Sequence, residues 1–334
     1  MDVYFYRAMT LRKLAAAEAL AAALLLLASC SALQGSSSMI LGGDVMLARG
    51  GTALFSVSDP WQAIAPYLAE ETGALFAVNL ESPLGEIPMS LDPMDAEMNL
   101  CANPREVDLL IEGGVDLVTT ANNHTGDCGL SEPEALTQLL QPLGITGVAA
   151  GEVMIERVGR QRVGFLAYDG YSGDGNLDAL VNGIKIAMAN SDLVVVSVHW
   201  GNEYQAGPTR EQEEFAQTLV DAGVDLVWGH HPHVLQRMEW RASSVDEHQA
   251  LVVYSLGNLL ADQWMLPDTL RTALVRIEFE PHEIKRVEVL PLRMDTVTQV
   301  LQPALDDETT ALITDRLGLN DLERQGVRVG VWGE

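Results

Sequence analysis

The stretch Val227-Trp228-Gly229-His230-His231-Pro232-His233-Val234 places three of the chain's seven histidines within four positions. It closes an apolar run, Val224 to Trp228, that reads as a buried strand. Proline continues neither a ladder nor a helix, so the backbone must turn where the imidazoles begin. His231 and His233, one residue apart, then project from a fixed corner. Such a corner pre-orders two ligand atoms for zinc, manganese or iron. An isolated pair of this kind would be read as solvent-facing loop histidines, but this pair is not isolated.

Working outward, four other apolar runs end in polar residues. Met39-Ile40-Leu41-Gly42-Gly43 ends at Asp44, and Ala74 to Val78 runs to Asn79-Leu80-Glu81. Val115 to Thr120 leads into Ala121-Asn122-Asn123-His124, and Leu193 to Val198 into His199. Helical spacing alternates with these runs at Trp61 to Glu71, Pro104 to Glu112, Pro133 to Leu140, Asp178 to Asn190 and Thr209 to Ala222. Asp59 and Asn103 stand as N-caps, and Pro60 at the first helical position. The alternation predicts an α/β fold with a largely buried sheet. Asp44, Glu81, Asn123, His199 and His231 all fall just past a strand's C-terminal end, where open α/β sheets place their sites.

Ile155 to Val158 and Arg162 to Tyr168 read as a hairpin around Gly159. From Gln249 to Tyr254 and Arg271 to Leu292 the period becomes strand-like without helices, predicting a second sheet packed beside the first. Residues 39–300 therefore read as one domain, and 301–334 as its helical cap and acidic tail. There is no internal repeat.

Composition limits the partners. The 334 residues are 48% hydrophobic, enough for a sizeable core, and 47 acidic residues against 20 basic ones give a net charge of −27. So negative a surface excludes nucleic acid as a partner, because phosphate contacts need a basic patch. At the N-terminus Arg7, Arg12 and Lys13 precede the apolar stretch Leu14 to Ala28, and Leu27-Ala28-Ser29-Cys30 follows. That order is the order of a secretory signal, with Met1 or Met9 as its start. The Leu-Ala-Ser-Cys ending resembles a bacterial lipobox, which implies lipidation at Cys30, an anchor in a bacterial membrane and an extracytoplasmic domain. Residues 1–30 are then the leader, and 31–38 a flexible polar tether. Cys101 and Cys128 remain as an even pair in an oxidising compartment, either a disulfide beside His124 or two buried thiols.

Five of the seven histidines, His124, His199, His230, His231 and His233, occupy three strand ends. With two carboxylates they outnumber the ligands of one tetrahedral ion, so two divalent ions about 4 Å apart, bridged by a carboxylate, are the economical reading. Imidazole, carboxylate and amide oxygen together suit Mn, Fe or Zn better than magnesium or calcium. A histidine just outside the ligand set could protonate a leaving group.

Gly43-Asp44-Val45-Met46, Asn79-Leu80-Glu81-Ser82, Ala121-Asn122-Asn123-His124, Val198-His199-Trp200-Gly201-Asn202-Glu203-Tyr204, Gly229-His230-His231-Pro232-His233 and Tyr254-Ser255-Leu256-Gly257-Asn258 resemble, in order, the signature of the CapA-type capsule and poly-gamma-glutamate biosynthesis proteins. These belong to the calcineurin-like metallophosphatase superfamily. The resemblance spans residues 39 to 262. It implies a metallophosphatase-like β-sandwich of two packed mixed sheets flanked by helices, and a metal-dependent phosphoester hydrolase or transferase of capsule or poly-gamma-glutamate production. The alternatives are a non-catalytic, membrane-tethered polymer-binding subunit and a general periplasmic phosphodiesterase.

Carried over residue by residue, the resemblance makes Asp44 a ligand of one metal and Glu81 the bridge; Asn79 competes with Glu81 as the second-strand ligand, but an anionic bridge holds two dications better than an amide does. Asn123, His199 and His231 bind the other metal, His233 returns to the first, and His124 is the general acid. His230 falls at a variable position that faces solvent. Asn79, Arg49, Glu203, Tyr204, Arg210 and Asn258 are candidates for contacting an anionic polymer or phosphoester substrate, and capsule-synthesis membrane proteins are the implied partners. Two departures stand out. The superfamily's Asp-x-His at the first strand is Asp44-Val45-Met46 here, and Glu81 stands where phosphatases usually carry aspartate.

Overall fold

The apolar run Met39–Leu41 lies at the centre of a nine-stranded sheet in this computed structural model. The structure describes residues 37–49, 58–70, 73–86, 98–129, 134–173, 175–304, 306–326 and 328–332. The expected leader, its Cys30 and residues 31–36 of the tether lie outside them.

Strand β1 (Ser37–Val45) runs parallel to β2 (Leu75–Leu80), which is followed in parallel by β3 (Leu117–Thr119) and β4 (Thr146–Val148). On the other edge, β1 pairs antiparallel with β12 (Arg271–Glu280) as far as Leu41. It then changes partner, Asp44 pairing with Asn258 of β11 (Asn258–Leu260). Beyond β12 come β13 (Glu283–Asp295) and β14 (Val300–Pro303), with β15 (Arg328–Val331) parallel to β13. The six-stranded second sheet runs in the order β5 (Met154–Val158), β6 (Gln161–Asp169), β7 (Leu193–His199), β8 (Leu226–His230), β10 (Gln249–Leu256) and β9 (Leu235–Ala242). Its four inner strands are parallel and its two edge pairs antiparallel.

Strand alternation sorts the side chains into layers. Met39, Leu41, Ala77, Val275 and Ile277 of the first sheet meet Phe165, Val195, Leu226, Trp228 and Val253 of the second in one buried cluster. The indole N–H of Trp228 donates to the Gly42 carbonyl across it at 3.1 Å. The opposite faces carry the helices. Ile40, Val78 and Val118 pack with Ile64, Leu110 and Leu140, beside α1 (Ala65–Glu70), α2 (Val107–Glu112) and α3 (Glu134–Leu140). Val194, Val196 and Val227 pack against Leu180, Ile184 and Leu219 of α4 (Leu177–Asn190) and α5 (Arg210–Asp221). Asn176 caps α4 by accepting from Ala179 N at 3.0 Å, and Thr209 with Gln212 forms a full capping box on α5. The fold is thus mixed α/β, two mixed sheets face to face with helices outside.

Three expectations change. β1 begins at Ser37, so Ser37 and Ser38 of the expected tether are buried sheet residues. The strands after residue 249 do not make a separate second sheet. β10 completes the sheet of β8, whereas β12 and β13 cover the edge of β1, whose backbone groups would otherwise lack partners. The tail is more than a cap: after α6 (Asp307–Leu317) and α7 (Leu319–Arg324), β15 extends the first sheet.

Candidate metal centre

Both sheets deliver polar residues to one edge of the layer between them. His199 shares the inner face of β7 with Leu193 and Val195, and His230 shares that of β8 with Trp228. The parallel register sets His199 opposite His230. From the first sheet come Asp44, at the irregularity where β1 changes partner, and Glu81, one residue past β2. Just before Asp44, Gly43 lies so close to the residue preceding β11 that a Cβ would sit 1.9 Å from the Gly257 carbonyl oxygen, which accepts from Asp44 N at 2.9 Å. After His230 the chain turns through His231 at φ 94° and His233 at φ 59°. Left-handed backbone at two non-glycine residues is costly and is held by its surroundings. Here the Asp44 carboxylate accepts from His231 N at 3.2 Å, and the Pro232 carbonyl accepts from Tyr204 N at 2.8 Å.

Glu81, His199 and His231 offer ligand atoms within 4.8 Å of one another, as do Asp44, Glu81 and His233. Glu81 is common to both sets. A third set joins Glu203 to His231 and His233. His199 Nε2 lies 3.5 Å from Glu81 Oε1 and 3.0 Å from His231 Nδ1. His233 Nδ1 lies 3.4 Å from Asp44 Oδ2 and 3.8 Å from Glu81 Oε2.

Burial opposes ionisation of Asp44, but hydrogen bonds from His230 and His233 outweigh it and hold the carboxyl well below its usual range. Burial pushes Glu81 up to about 8 against the pull of His233. Burial also works against the cation on His233, yet Glu81 and Asp44 beside it push that imidazole up to about 9. His231 falls to about 4 through burial and the nearby His233, and His199 falls well below its usual range by burial and by His231. Those two imidazoles are therefore neutral donors at physiological pH.

The donor set fits divalent cations. Both Glu81 carboxylate oxygens, His199 Nδ1, His231 Nε2 and Asn123 Oδ1 are buried without a hydrogen-bond partner. Each such atom costs about 1–3 kcal/mol if left unsatisfied. An acceptor-rich cluster with so many open lone pairs suits cations of the Mn, Fe or Zn kind.

His124 follows Asn123 in the loop after β3. Its Nδ1 is 2.8 Å from Asp127 Oδ2, and its backbone N–H donates to Asn122 Oδ1. His124 is near enough to His231 to disfavour that residue's cation. Cys101 and Cys128 form a disulfide, fixing the chain next to Asp127.

The remaining candidates divide. Asn79, expected at the substrate, is buried, donates to Asp44 Oδ1 at 2.9 Å and so orients that carboxylate. Asn258 is likewise buried, with Oδ1 3.0 Å from His233 Nδ1 and Nδ2 bonded to Gln263. Arg49 pairs with Asp262 at 2.7 Å and lies close enough to Glu81 and Tyr204 to act on their charges. Glu203 and Tyr204 are exposed at the rim, the Tyr204 ring centroid 5.9 Å from that of His233. Burial, with Glu203 alongside, pushes the Tyr204 hydroxyl up to about 12. Arg210 does not join them: its side chain is exposed on α5 and paired with Glu214.

His230 was expected to face solvent. Instead it is 1% exposed, with Nδ1 3.1 Å from Asp44 Oδ1. Strand parity with Trp228 was the signal that would have placed it. Asp127 was missed outright, since an acidic residue three positions after a histidine is unremarkable in so acidic a chain.

The bacterial capsule synthesis protein family PGA_cap matches residues 38–263. The capsule biosynthesis protein CapA of Bacillus anthracis is 30% identical over 286 residues, 77% of this chain and 67% of that protein. The PGA biosynthesis protein CapA of Bacillus subtilis (strain 168) is 28% identical over 287 residues, 77% and 71% of the two chains. A crystal structure of a hypothetical protein from Thermus thermophilus has a TM-score of 0.49 at 17% identity, covering 77% of this chain and 99% of that one.

Proposed function

Because the chain belongs to the bacterial capsule synthesis protein family PGA_cap, we propose that it is an exported, lipid-anchored, metal-dependent phosphoester hydrolase or transferase acting in capsule or poly-gamma-glutamate production. The observation that carries this reading is the position of Glu81, shared by two ligand sets and with neither oxygen hydrogen-bonded. One carboxylate between two imidazole-bearing sites is the donor arrangement of a bridged pair of cations. Asp44, Glu81 and His233 would hold one ion, and Glu81, His199, His231 and Asn123 the other. When bound, such ions polarise a phosphoryl oxygen and lower the pKa of an attacking water.

The protein's own groups complete the chemistry. Asn79 and His230 fix the Asp44 carboxylate through separate contacts to Oδ1. Asn258 orients the His233 ring. Asp127 accepts from Leu100 N at 2.6 Å and holds Nδ1 of His124, leaving Nε2 to carry the proton that a departing oxygen needs. Arg49 places a cation beside the cluster, where an anionic substrate would approach.

Export is supported by the leader motif and by the Cys101–Cys128 disulfide, a bond of oxidising compartments. The test is elemental analysis of protein purified without added metal, combined with hydrolysis of bis-p-nitrophenyl phosphate and of an alkyl phosphodiester. The wild type should retain metal and turn over both substrates. His124→Ala should keep metal and lose turnover of the alkyl phosphodiester, and His231→Ala should lose metal. Metal without turnover in the wild type would instead mark a polymer-binding subunit. The mass of the mature N-terminus tests acylation at Cys30.

A further inference from the structure

Beside the second ligand set lies a cavity of about 480 Å³, within the range of small-ligand sites. Its wall adjoins the cluster. The Tyr171 ring centroid stands 4.0 Å from that of His231, Gly170 N donates to the His199 carbonyl at 2.9 Å, and Trp200 directly follows His199. Its walls are aromatic. Tyr168 stacks on Phe215 with centroids 5.2 Å apart, and Trp200 meets the same ring edge-on at 6.2 Å. The rim is polar, with Asn202 and Glu211 both exposed. Among the described residues that line it there is no lysine or arginine.

This lining selects by charge. A polyanion lying in the cavity would meet the Glu211 carboxylate, no lysine or arginine among the described lining residues, and the field of a strongly acidic chain. A ring with apolar faces and hydroxyl donors at its edge meets the opposite situation. Its C–H faces lie on aromatic rings, and its hydroxyls reach an ionised acceptor, which forms the stronger kind of hydrogen bond. Tyr171 belongs to the cavity wall and packs on His231, so a substituent on a phosphate held at the cluster need pass only that ring to reach the cavity.

We propose that the cavity bounded by Tyr168, Tyr171, Trp200, Phe215, Asn202 and Glu211 is a subsite for an uncharged glycosyl ring, carried on the phosphoester that the adjoining centre binds. This rests on the phosphoester reading of that centre and narrows it. The substrate is a sugar phosphate or glycosyl phosphodiester, and the polyglutamate chain itself is not what fills the pocket.

Two measurements on the full chain test it. Saturation-transfer NMR with methyl β-glucoside probes the cavity without phosphate or metal. Calorimetry on manganese-loaded protein compares glucose 1-phosphate, inorganic phosphate and short poly-γ-glutamate. The expected result is saturation transfer to methyl β-glucoside that disappears in Tyr171→Ala, an exposed position where folding is not at stake. Glucose 1-phosphate should bind about tenfold more tightly than inorganic phosphate, and Asn202→Ala, a neutral change on the exposed rim outside every ligand set, should reduce that advantage while leaving inorganic phosphate unchanged. Glu211→Arg should weaken the glucoside signal and admit poly-γ-glutamate. Absent transfer with equal affinities for the two phosphates overturns the subsite, and phosphate binding that still requires His231 would leave the phosphoester reading standing. Transfer to the glucoside in a protein that binds no phosphate supports the ring pocket and overturns the phosphoester reading alone.

Discussion

His230 faces Asp44 across the layer between the two sheets, its Nδ1 3.1 Å from Asp44 Oδ1, with both side chains buried. The same oxygen accepts from Asn79, so Asp44 is oriented from β2 and β8 at once. Partners of this kind typically contribute 10–100-fold to metal affinity. His230→Ala should therefore weaken manganese binding by about 10–100-fold, and Asn79→Ala by a similar factor, without loss of fold. Competition with a fluorescent chelator measures it. Unchanged affinity in both variants would show that Asp44 needs neither partner.

Protons compete with metal at this cluster. Glu81 is pushed up to about 8 and His233 up to about 9, both above their unfolded values, and a metal ligand must be deprotonated. In metal-free protein, the stability tied to each raised group is fully present below its unfolded pKa and is lost as pH rises through its folded pKa. From about pH 6.5 to 9 the metal-free protein should therefore become less stable, while the manganese-loaded protein gains affinity as the competing protons leave. The Tm increment produced by manganese should grow across that window in differential scanning fluorimetry. An increment that shrinks instead would mean that neither group surrenders a proton to the metal.

The close approach of the strands sets a steric limit. At Gly229 a Cβ would stand 2.2 Å from the Tyr254 carbonyl oxygen and 2.4 Å from Trp200 Nε1, which itself donates to that carbonyl. Backbone and a bonded indole cannot move aside cheaply, so Gly229→Ala should cost about 3 kcal/mol and displace His230. Urea unfolding gives the number. A variant as stable as wild type would show that β8 and β10 separate more easily than their packing suggests.

How much of this was legible beforehand follows from what sequence patterns encode. Apolar runs with polar ends marked β1, β2, β3, β7 and β8 and the residues at their tips, because burial on both faces demands such runs. The capping residues Asn103, Asn176 and Thr209 act locally, although of these three only Asn103 is singled out as a cap by the sequence reading. Partner choice was not legible. Nothing in Arg271 to Leu292 says that these strands cover β1 rather than form their own sheet, since pairing is decided by which edge is open. Asn79, Asn258 and His230 look like substrate or solvent residues in sequence. They prove to orient Asp44 and His233, a distinction that depends on a direction in space. Arg210 was attractive for its charge, but a helix-surface partner four residues on, Glu214, takes it up.

The disulfide closes a loop with a sequence separation of 27 residues and pins the segment that carries Asp127. Chain entropy alone assigns such a cross-link about 3.5 kcal/mol. Cys101→Ser with Cys128→Ser should lower stability by about that amount and reduce kcat on an alkyl phosphodiester more than it changes manganese content, because this segment carries both His124 and Asp127 but only Asn123 of the ligands proposed above. Parallel loss of metal would place the segment's support at the cluster itself.

His124 and Asp127 give the sharpest test of proton transfer. The ring is held at Nδ1 by a carboxylate that is itself held by Leu100 N, so the loop fixes the ring's orientation with Nε2 directed away from Asp127, and the imidazolium is the form that donates from Nε2. A positioned acid of this kind contributes about 10²–10⁴-fold to rate. His124→Ala should therefore lose about 10²–10⁴-fold in kcat with a leaving group as basic as an alkoxide. With p-nitrophenolate, which leaves without help, the loss should be much smaller. Asp127→Asn keeps the imidazole but loosens its orientation, so its effect should have the same leaving-group dependence and a lesser size. Metal content should be unchanged in both, since neither residue belongs to a ligand set. Equal losses with good and poor leaving groups would remove His124 from the proton's path and assign it to holding the substrate.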